Sequence, residues 1–263
     1  QTYKPPAERR RLISRETRAK LVASEAANQR LKDLFEPELG EWFGFPSEID
    51  DLGRLKGEES YLAVVHADGN GMGERIAAIA EGFPTPRDNR NYIETMRAFS
   101  RGVNAAGTAA LRQTVRKLTH ALRYVKEKNQ ELIAEVIPLK LRDDRYLLPF
   151  RPLVFGGDDI TFICNGQVGL ALAAAYLQAF EAETANPEYK LNGGMRACAG
   201  IGIVKMHYPF ARAYQLSEQL MKEAKKLGKP KNASALDWHS ATSGLSGALN
   251  EIRRREYTVK AGS

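Results

Sequence analysis

This 263-residue chain predicts an α/β fold of the α+β kind, a βαββαβ core with added helices and a basic N-terminal helical arm. Three observations carry that prediction. An apolar, β-branched run, YLAVVHA at 61–67, stops at a glycine-rich turn and gives way to the helical pattern MGERIAAIA. A tight glycine turn, VFGGDD at 154–159, joins two apolar runs as a β-hairpin does. A strong helical stretch, QVGLALAAAYLQAFEAE, then leads into a further buried strand, MRACAGIGIVKMH. Strand, helices, hairpin, helix, strand is the ferredoxin-like order.

Residues 1 to about 36 are rich in Arg and Lys (Arg9, Arg10, Arg11, Arg15, Arg18, Lys20). Their apolar residues are too sparse for a core, so they read as a basic helical arm. From Pro37 to Gly57, Pro, Gly and aromatic residues such as Trp42, Phe43 and Phe45 make an irregular connector packed on the main unit. After MGERIAAIA, a turn over Thr85–Asn91 precedes a long helix. Its stripe is Ile93, Met96, Phe99 and Val103, then Leu111, Val115, Leu118, Leu122 and Val125. The apolar runs LIAEVIPL and YLLPFRPLVF lead to GGDD, and ITFIC follows at once. Pro209 falls in the first turn of a helix with Phe210, Ala213, Tyr214, Leu220, Met221, Ala224 and Leu227 on its apolar face, and Gly228 reads as its C-terminal cap. A last strand, SALDWH, closes the unit. The implied division is an arm and connector at 1–57, the core domain at 58–240 and a basic tail at 241–263.

Composition sets outer bounds. With 43% apolar and 27% charged residues, the chain has enough apolar material for one ordinary core and is not a disordered one. No apolar run reaches the roughly 20 residues needed to cross a bilayer, so the expectation is a cytoplasmic protein without a membrane partner. Cys164 and Cys198 sit inside strand-like runs without C-x-x-C spacing, which predicts buried free thiols. The excess of 39 basic over 32 acidic side chains favours a polyanionic partner such as a nucleotide or RNA. The chain opens on Gln1 and ends Ala261-Gly262-Ser263, which reads as an excised piece with sequence missing upstream.

The chemistry follows from topology. In a ferredoxin-like core the second hairpin strand pairs antiparallel with the first strand, so Asp68 meets Asp158 and Asp159 across more than 80 residues of sequence. Three carboxylates in one place repel unless cations join them, and hard oxygen ligands select Mg²⁺ or Mn²⁺. Two such ions roughly 3.5–4 Å apart suit attack of a 3′-hydroxyl on an α-phosphate. The turn Gly69, Asn70, Gly71, Met72 and Gly73 would cradle a triphosphate with backbone N–H groups at a helix N-terminus. Gly156 and Gly157 would let phosphate approach the hairpin, and Lys225, Lys226 and Lys229 would reach the same anion.

These strings resemble a known family. AVVHADGNGMG, RPLVFGGDDITFIC, AGIGIVKMHYPFARAYQLSEQLMKEAKKLGK and ALDWH, in this order over roughly 58–240, are similar to the palm domains of nucleotidyl cyclases. The likeness is specifically to the second, GGDD-bearing palm of the polymerase-like large subunit of type III CRISPR effector complexes, with GGDEF diguanylate cyclases as more distant relatives. The resemblance implies that Asp68, Asp158 and Asp159 hold two metals, with the Gly69 carbonyl as a further ligand, and that Lys225 meets the phosphates. It implies conversion of ATP into a cyclic oligoadenylate or cyclic dinucleotide messenger for antiviral defence. The implied partners are a nucleoside triphosphate, a second palm domain or homodimer, and RNA or effector-complex subunits. One departure stands out: family members commonly carry DGD, whereas this chain has Asn70 two residues after Asp68. That leaves open a catalytically silent palm that binds nucleotide or serves as a scaffold. A diguanylate cyclase is the other alternative, although the hairpin ends in DD and no RxxD motif stands close before it.

Other polar residues read as structural. His66 is expected to be a hydrogen-bonded core histidine, Asp237 and His239 to be structural beside Trp238, and Asp143 and Asp144 to form a charged loop. Lysines in the last turn of a helix also complement its dipole.

Overall fold

The structure is a computed structural model and describes residues 2–3, 11–52, 60–127, 137, 139–241 and 249–256. Arg9 and Arg10, the end of the connector, most of LIAEVIPL and most of the tail lie outside the described residues.

The N-terminal arm differs from expectation at both ends. It starts with a two-residue pair, β1 (Thr2–Tyr3) antiparallel to β2 (Arg11–Leu12), and only then becomes helix α1 (Arg15–Leu39). Ser14 caps α1, its Oγ accepting from the Thr17 backbone N–H at 3.1 Å. Residues 14–30 are exposed throughout, but the last turn enters the core, with Phe35, Glu38 and Leu39 buried. Buried Glu38 is paired on both sides, Arg112 and Arg116 each reaching its carboxylate at 3.0 Å.

The main sheet uses β4 (Tyr61–Gly69), β7 (Phe150–Gly156), β8 (Asp159–Asn165), β9 (Ala197–Lys205) and β10 (Ala235–Ala241). Its order is β10-β9-β4-β8-β7. The four strands from β9 to β7 are antiparallel neighbours in the ferredoxin-like arrangement, and β10 adds a parallel edge. A small sheet of β3 (Phe43–Gly44), β5 (Leu141–Arg142) and β6 (Arg145–Leu147) gathers the connector and the segment before the hairpin. Asp143 and Asp144 make the turn between β5 and β6, both at positive φ (49° and 61°), and have no part in the site.

The helices α2 (Met72–Glu81), α3 (Asn89–Glu127), α4 (Gly169–Ala185), α5 (Phe210–Gly228) and α6 (Leu249–Glu256) complete the described structure. Side chains alternate along β4. Ala63, Val65 and Ala67 join the large core with α3 and α4, while Leu62 and Val64 join a smaller one with Leu216 and Leu220 of α5. Gly200 lets α5 close on the sheet: a Cβ there would lie 1.9 Å from the Ser217 carbonyl oxygen. The α3 stripe is buried from Val103 to Leu122, but Ile93 is 42% exposed and Met96 and Phe99 only half-buried. Pro209 caps α5 one residue before its first turn. Among the described residues no helix is long and apolar enough to cross a membrane.

Candidate functional site

The register brings the carboxylates together. Asp68 is the cross-strand partner of Asp159, and His66 of Thr161, so all four lie on the α5 face of the sheet. Asp158 occupies the second position of the two-residue turn between β7 and β8. Gly157 before it takes φ 66°, a conformation glycine adopts without strain. The turn also touches the end of β4, where the Gly69 N–H donates to the Asp158 carbonyl at 3.2 Å. Gly69 is needed there because a Cβ would sit 2.8 Å from Asp158 Oδ2.

Lys225 closes the cluster from the last turns of α5. Its Nζ donates to Asp68 Oδ2 at 2.5 Å and to the Gly69 carbonyl at 3.0 Å. Burial raises the pKa of Asp158 above its usual value, and the Asp68 carboxylate adds to that rise. Asp159 is raised mainly by burial as well, and His66 and Lys225 oppose the shift. His66 is buried as expected, with Nδ1 3.2 Å from Thr161 Oγ1 and its ring packed edge-on against Tyr214. It also lies 3.4 Å from Asp159 Oδ1, closer to the carboxylates than a plain core histidine.

Crowded carboxylates and a carbonyl oxygen meet here, with an ammonium already bound to two of those oxygens. All the oxygens are hard donors, the type that Mg²⁺ or Mn²⁺ would take. Among the described residues no three His, Cys, Asp or Glu side chains close to ligating geometry.

Residues on α3 hold the hairpin in place, and the sequence reading did not single them out. Asn104 Oδ1 accepts from the Gly157 N–H at 3.2 Å, and a Cβ at Gly107 would lie 2.3 Å from the Gly157 carbonyl oxygen. The available signal was a glycine and an amide beside the buried stripe positions Val103, Ala106 and Ala110.

The sequence matches a known family. Residues 61–235, more than half of the chain, match the family model of the Cas10/Cmr2 second palm domain. The chain belongs to that family. Among solved structures it is similar to three crystal structures of a Csm1–Csm4 cassette. That in complex with cA4 is 16% identical, with 74% of this chain and 23% of that chain covered and a TM-score of 0.37. The complex with one ATP gives 16%, 81%, 25% and 0.40, and that with pppApA 16%, 74%, 22% and 0.39. This chain thus spans about a quarter of the length of the chains it matches. No curated protein matches it.

In this palm domain the glycine turn runs into α2 as expected. Gly71 caps the helix at φ 74°, Gly73 faces open space, and the Met72 side chain packs on the core, leaving its backbone at the helix start. Glu74 in the first turn was not foreseen as a neighbour; its Oε2 would lie 3.1 Å from a Cβ on Gly71, so an acidic group shares this helix end. Asn70 turns inward. Its Nδ2 donates to Cys198 Sγ at 3.3 Å, and its buried Oδ1 has no hydrogen-bond partner among the described residues. A groove of about 430 Å³ beside the turn is lined by Asn70, Gly71, Arg75, Arg196 and Lys229.

Gly156 lies on β7 with Asn104 Oδ1 4.0 Å from where its Cβ would be, which leaves room at the hairpin. Two expectations need correction. Lys226 points away from the cluster and pairs with Glu223 at 2.6 Å. Gly228 does not take a left-handed cap conformation: its φ is −75°, and it is small because a Cβ would lie 2.7 Å from the Ala233 carbonyl oxygen and 2.8 Å from Cys198 Sγ. Asp237 is structural as read, bound through both carboxylate oxygens to Arg253 at 2.7 Å. Both cysteines are buried and free.

Proposed function

We propose that this palm domain is a metal-dependent nucleotidyltransferase that converts ATP into a cyclic oligoadenylate or cyclic dinucleotide. The observation that carries the reading is the register Asp68↔Asp159, with Asp158 in the adjoining turn and Lys225 bound to Asp68. In this reading Asp68, Asp158, Asp159 and the Gly69 carbonyl hold Mg²⁺ or Mn²⁺. When bound, such ions lower the pKa of an attacking 3′-hydroxyl and neutralise the departing pyrophosphate. The backbone of Gly69, Asn70, Gly71, Met72 and Gly73 faces the triphosphate, Gly156 and Gly157 leave room for it, and Lys225 and Lys229 supply positive charge. A second palm or a second copy of this chain would present the other nucleotide, with effector-complex subunits or RNA as further partners and the cytoplasm as the compartment. The division into 1–57, 58–240 and 241–263 belongs to the same proposal.

One observation favours a second reading. Asn70 stands where a second carboxylate is common in the family, and its side chain is engaged with Cys198. That suits a silent palm that binds nucleotide without turning it over. Incubation with each of the four nucleoside triphosphates and Mn²⁺, followed by pyrophosphate assay and mass spectrometry, separates the two. The enzyme reading expects pyrophosphate and a cyclic adenylate; ATP–metal binding without product, with or without RNA, supports the silent palm.

A further inference from the structure

The contacts of Lys225 go further than a phosphate-facing lysine requires. Its Nζ donates to Asp68 Oδ2 and to the Gly69 carbonyl, two oxygens of the proposed cation-binding set, and its side chain is only 18% exposed. An ammonium carries three donors and no acceptor, so it takes up oxygen lone pairs much as a cation does. The Asp158 and Asp159 carboxylates also feel its charge. The Asp68 and Gly69 oxygens thus have a resident cation before any ion arrives.

We propose that Lys225 is a built-in occupant of the cation site, which must swing off Asp68 and Gly69 before a divalent ion binds, and which then takes the nucleotide's phosphates as its next partner. This rests on the proposed metal-dependent reading of the same site. The geometry makes ion and nucleotide mutually dependent. The ion without nucleotide must displace a half-buried ammonium from a carboxylate and leave it without an anion, which is costly. With a triphosphate present the ammonium exchanges one anionic partner for another, so the ion binds more tightly. By linkage the nucleotide gains by the same factor.

The test is Mn²⁺ binding to the whole chain, read by electron paramagnetic resonance of free Mn²⁺, with and without a non-hydrolysable ATP analogue. Lys225→Met keeps the length of the side chain and removes the charge; Lys225→Gln is a second variant, and both are checked for folding by circular dichroism. Without nucleotide, both should bind Mn²⁺ on the order of tenfold more tightly than wild type. The tightening that the analogue gives wild type should shrink by a similar factor. Lys226→Met removes a charge on the same helix end that points away to Glu223 and does not touch these oxygens, and should change Mn²⁺ affinity without nucleotide less than threefold, roughly the weak effect expected of an exposed charge. Equal or weaker Mn²⁺ binding by the Lys225 variants, or an equal gain from Lys226→Met, overturns the proposal. If Asp68→Asn abolishes Mn²⁺ binding in that case, the metal-site reading survives it. Absence of Mn²⁺ binding by wild type and by both Lys225 variants, with the analogue present, overturns the two together.

Discussion

The two faces of the main sheet are built from the same strands but do different work. On the face under α3 and α4, Ala63, Val65, Ala67, Ile160, Phe162 and Cys164 form one apolar layer with Ala106, Leu111, Tyr176 and Phe180. On the face under α5, the apolar layer of Leu62, Val64, Ile163 and Leu216 stops short of the strand ends. His66, Asp68, Thr161 and Asp159 continue the same rows to the edge. A period of two lets one strand serve both purposes, because odd and even residues never compete for the same neighbours. The apolar face supplies stability, and the α5 face carries groups whose burial is unfavourable and which a ligand would relieve.

The largest expected effect separates the faces outright. Asp158→Ala with Asp159→Ala should lower product formation by on the order of 100-fold or more while leaving the melting temperature of the metal-free protein unchanged or higher. Phe162→Ala removes a fully buried ring that packs 5.0 Å from Phe150, and should cost about 3–5 kcal/mol of stability. Denaturant melts beside a pyrophosphate assay check both. A large stability loss in the aspartate variant would mean that the cluster is structural.

Gly107→Ala tests the contact between the faces. Its Cβ would meet the Gly157 carbonyl oxygen, so the change should cost about 1–3 kcal/mol and also shift the turn that holds Asp158. Product formation by protein that is still folded should therefore fall further than in Phe162→Ala, measured well below the melting temperature of each. Equal specific activities would disconnect α3 from the site.

A smaller effect is expected with pH. Folding raises the pKa values of Asp158 and Asp159, so the native state holds their protons to higher pH than the unfolded chain does. Stability of the metal-free protein should fall as pH rises through the window that opens near the unfolded value of 3.8 and closes at the raised native values. Relative to the double alanine variant, wild type should gain melting temperature as pH is lowered from neutrality into that window. A parallel pH dependence in the two proteins would contradict the crowding.

The sequence made the site's main register legible because β4 and β8 are short, apolar and bounded by glycines, and their topology leaves one pairing. Asp68 opposite Asp159 follows from that alone. Spacing showed Lys225 as one of three lysines at a helix end, and the resemblance pointed it at phosphates; its contact with Asp68, against Lys226's outward pairing, depends on how α5 is rotated on Gly200. Asn104 and Gly107 were not legible because their contacts cross about fifty residues to a turn, and periodicity records which face is buried but not what it meets. Gly228 was misread for a related reason: a glycine at a helix end fits a left-handed cap and a close approach equally well until its neighbours are known. The buried end of α1 rests on Phe35 and Leu39 with Leu31 and Leu34 packed beside them, a stripe confined to the last turns of a long polar helix and therefore masked by the exposed turns before it.

The central claim is that the α5 face is a cation-dependent nucleotide site, and calorimetric titration of ATP tests it most directly. Clustered carboxylates repel a triphosphate unless a cation bridges them. ATP should therefore bind the whole chain in the presence of Mg²⁺ or Mn²⁺ and lose that binding in EDTA, and Asp68→Ala should lose it in both. Equal affinity for ATP with metal and with EDTA would contradict the claim.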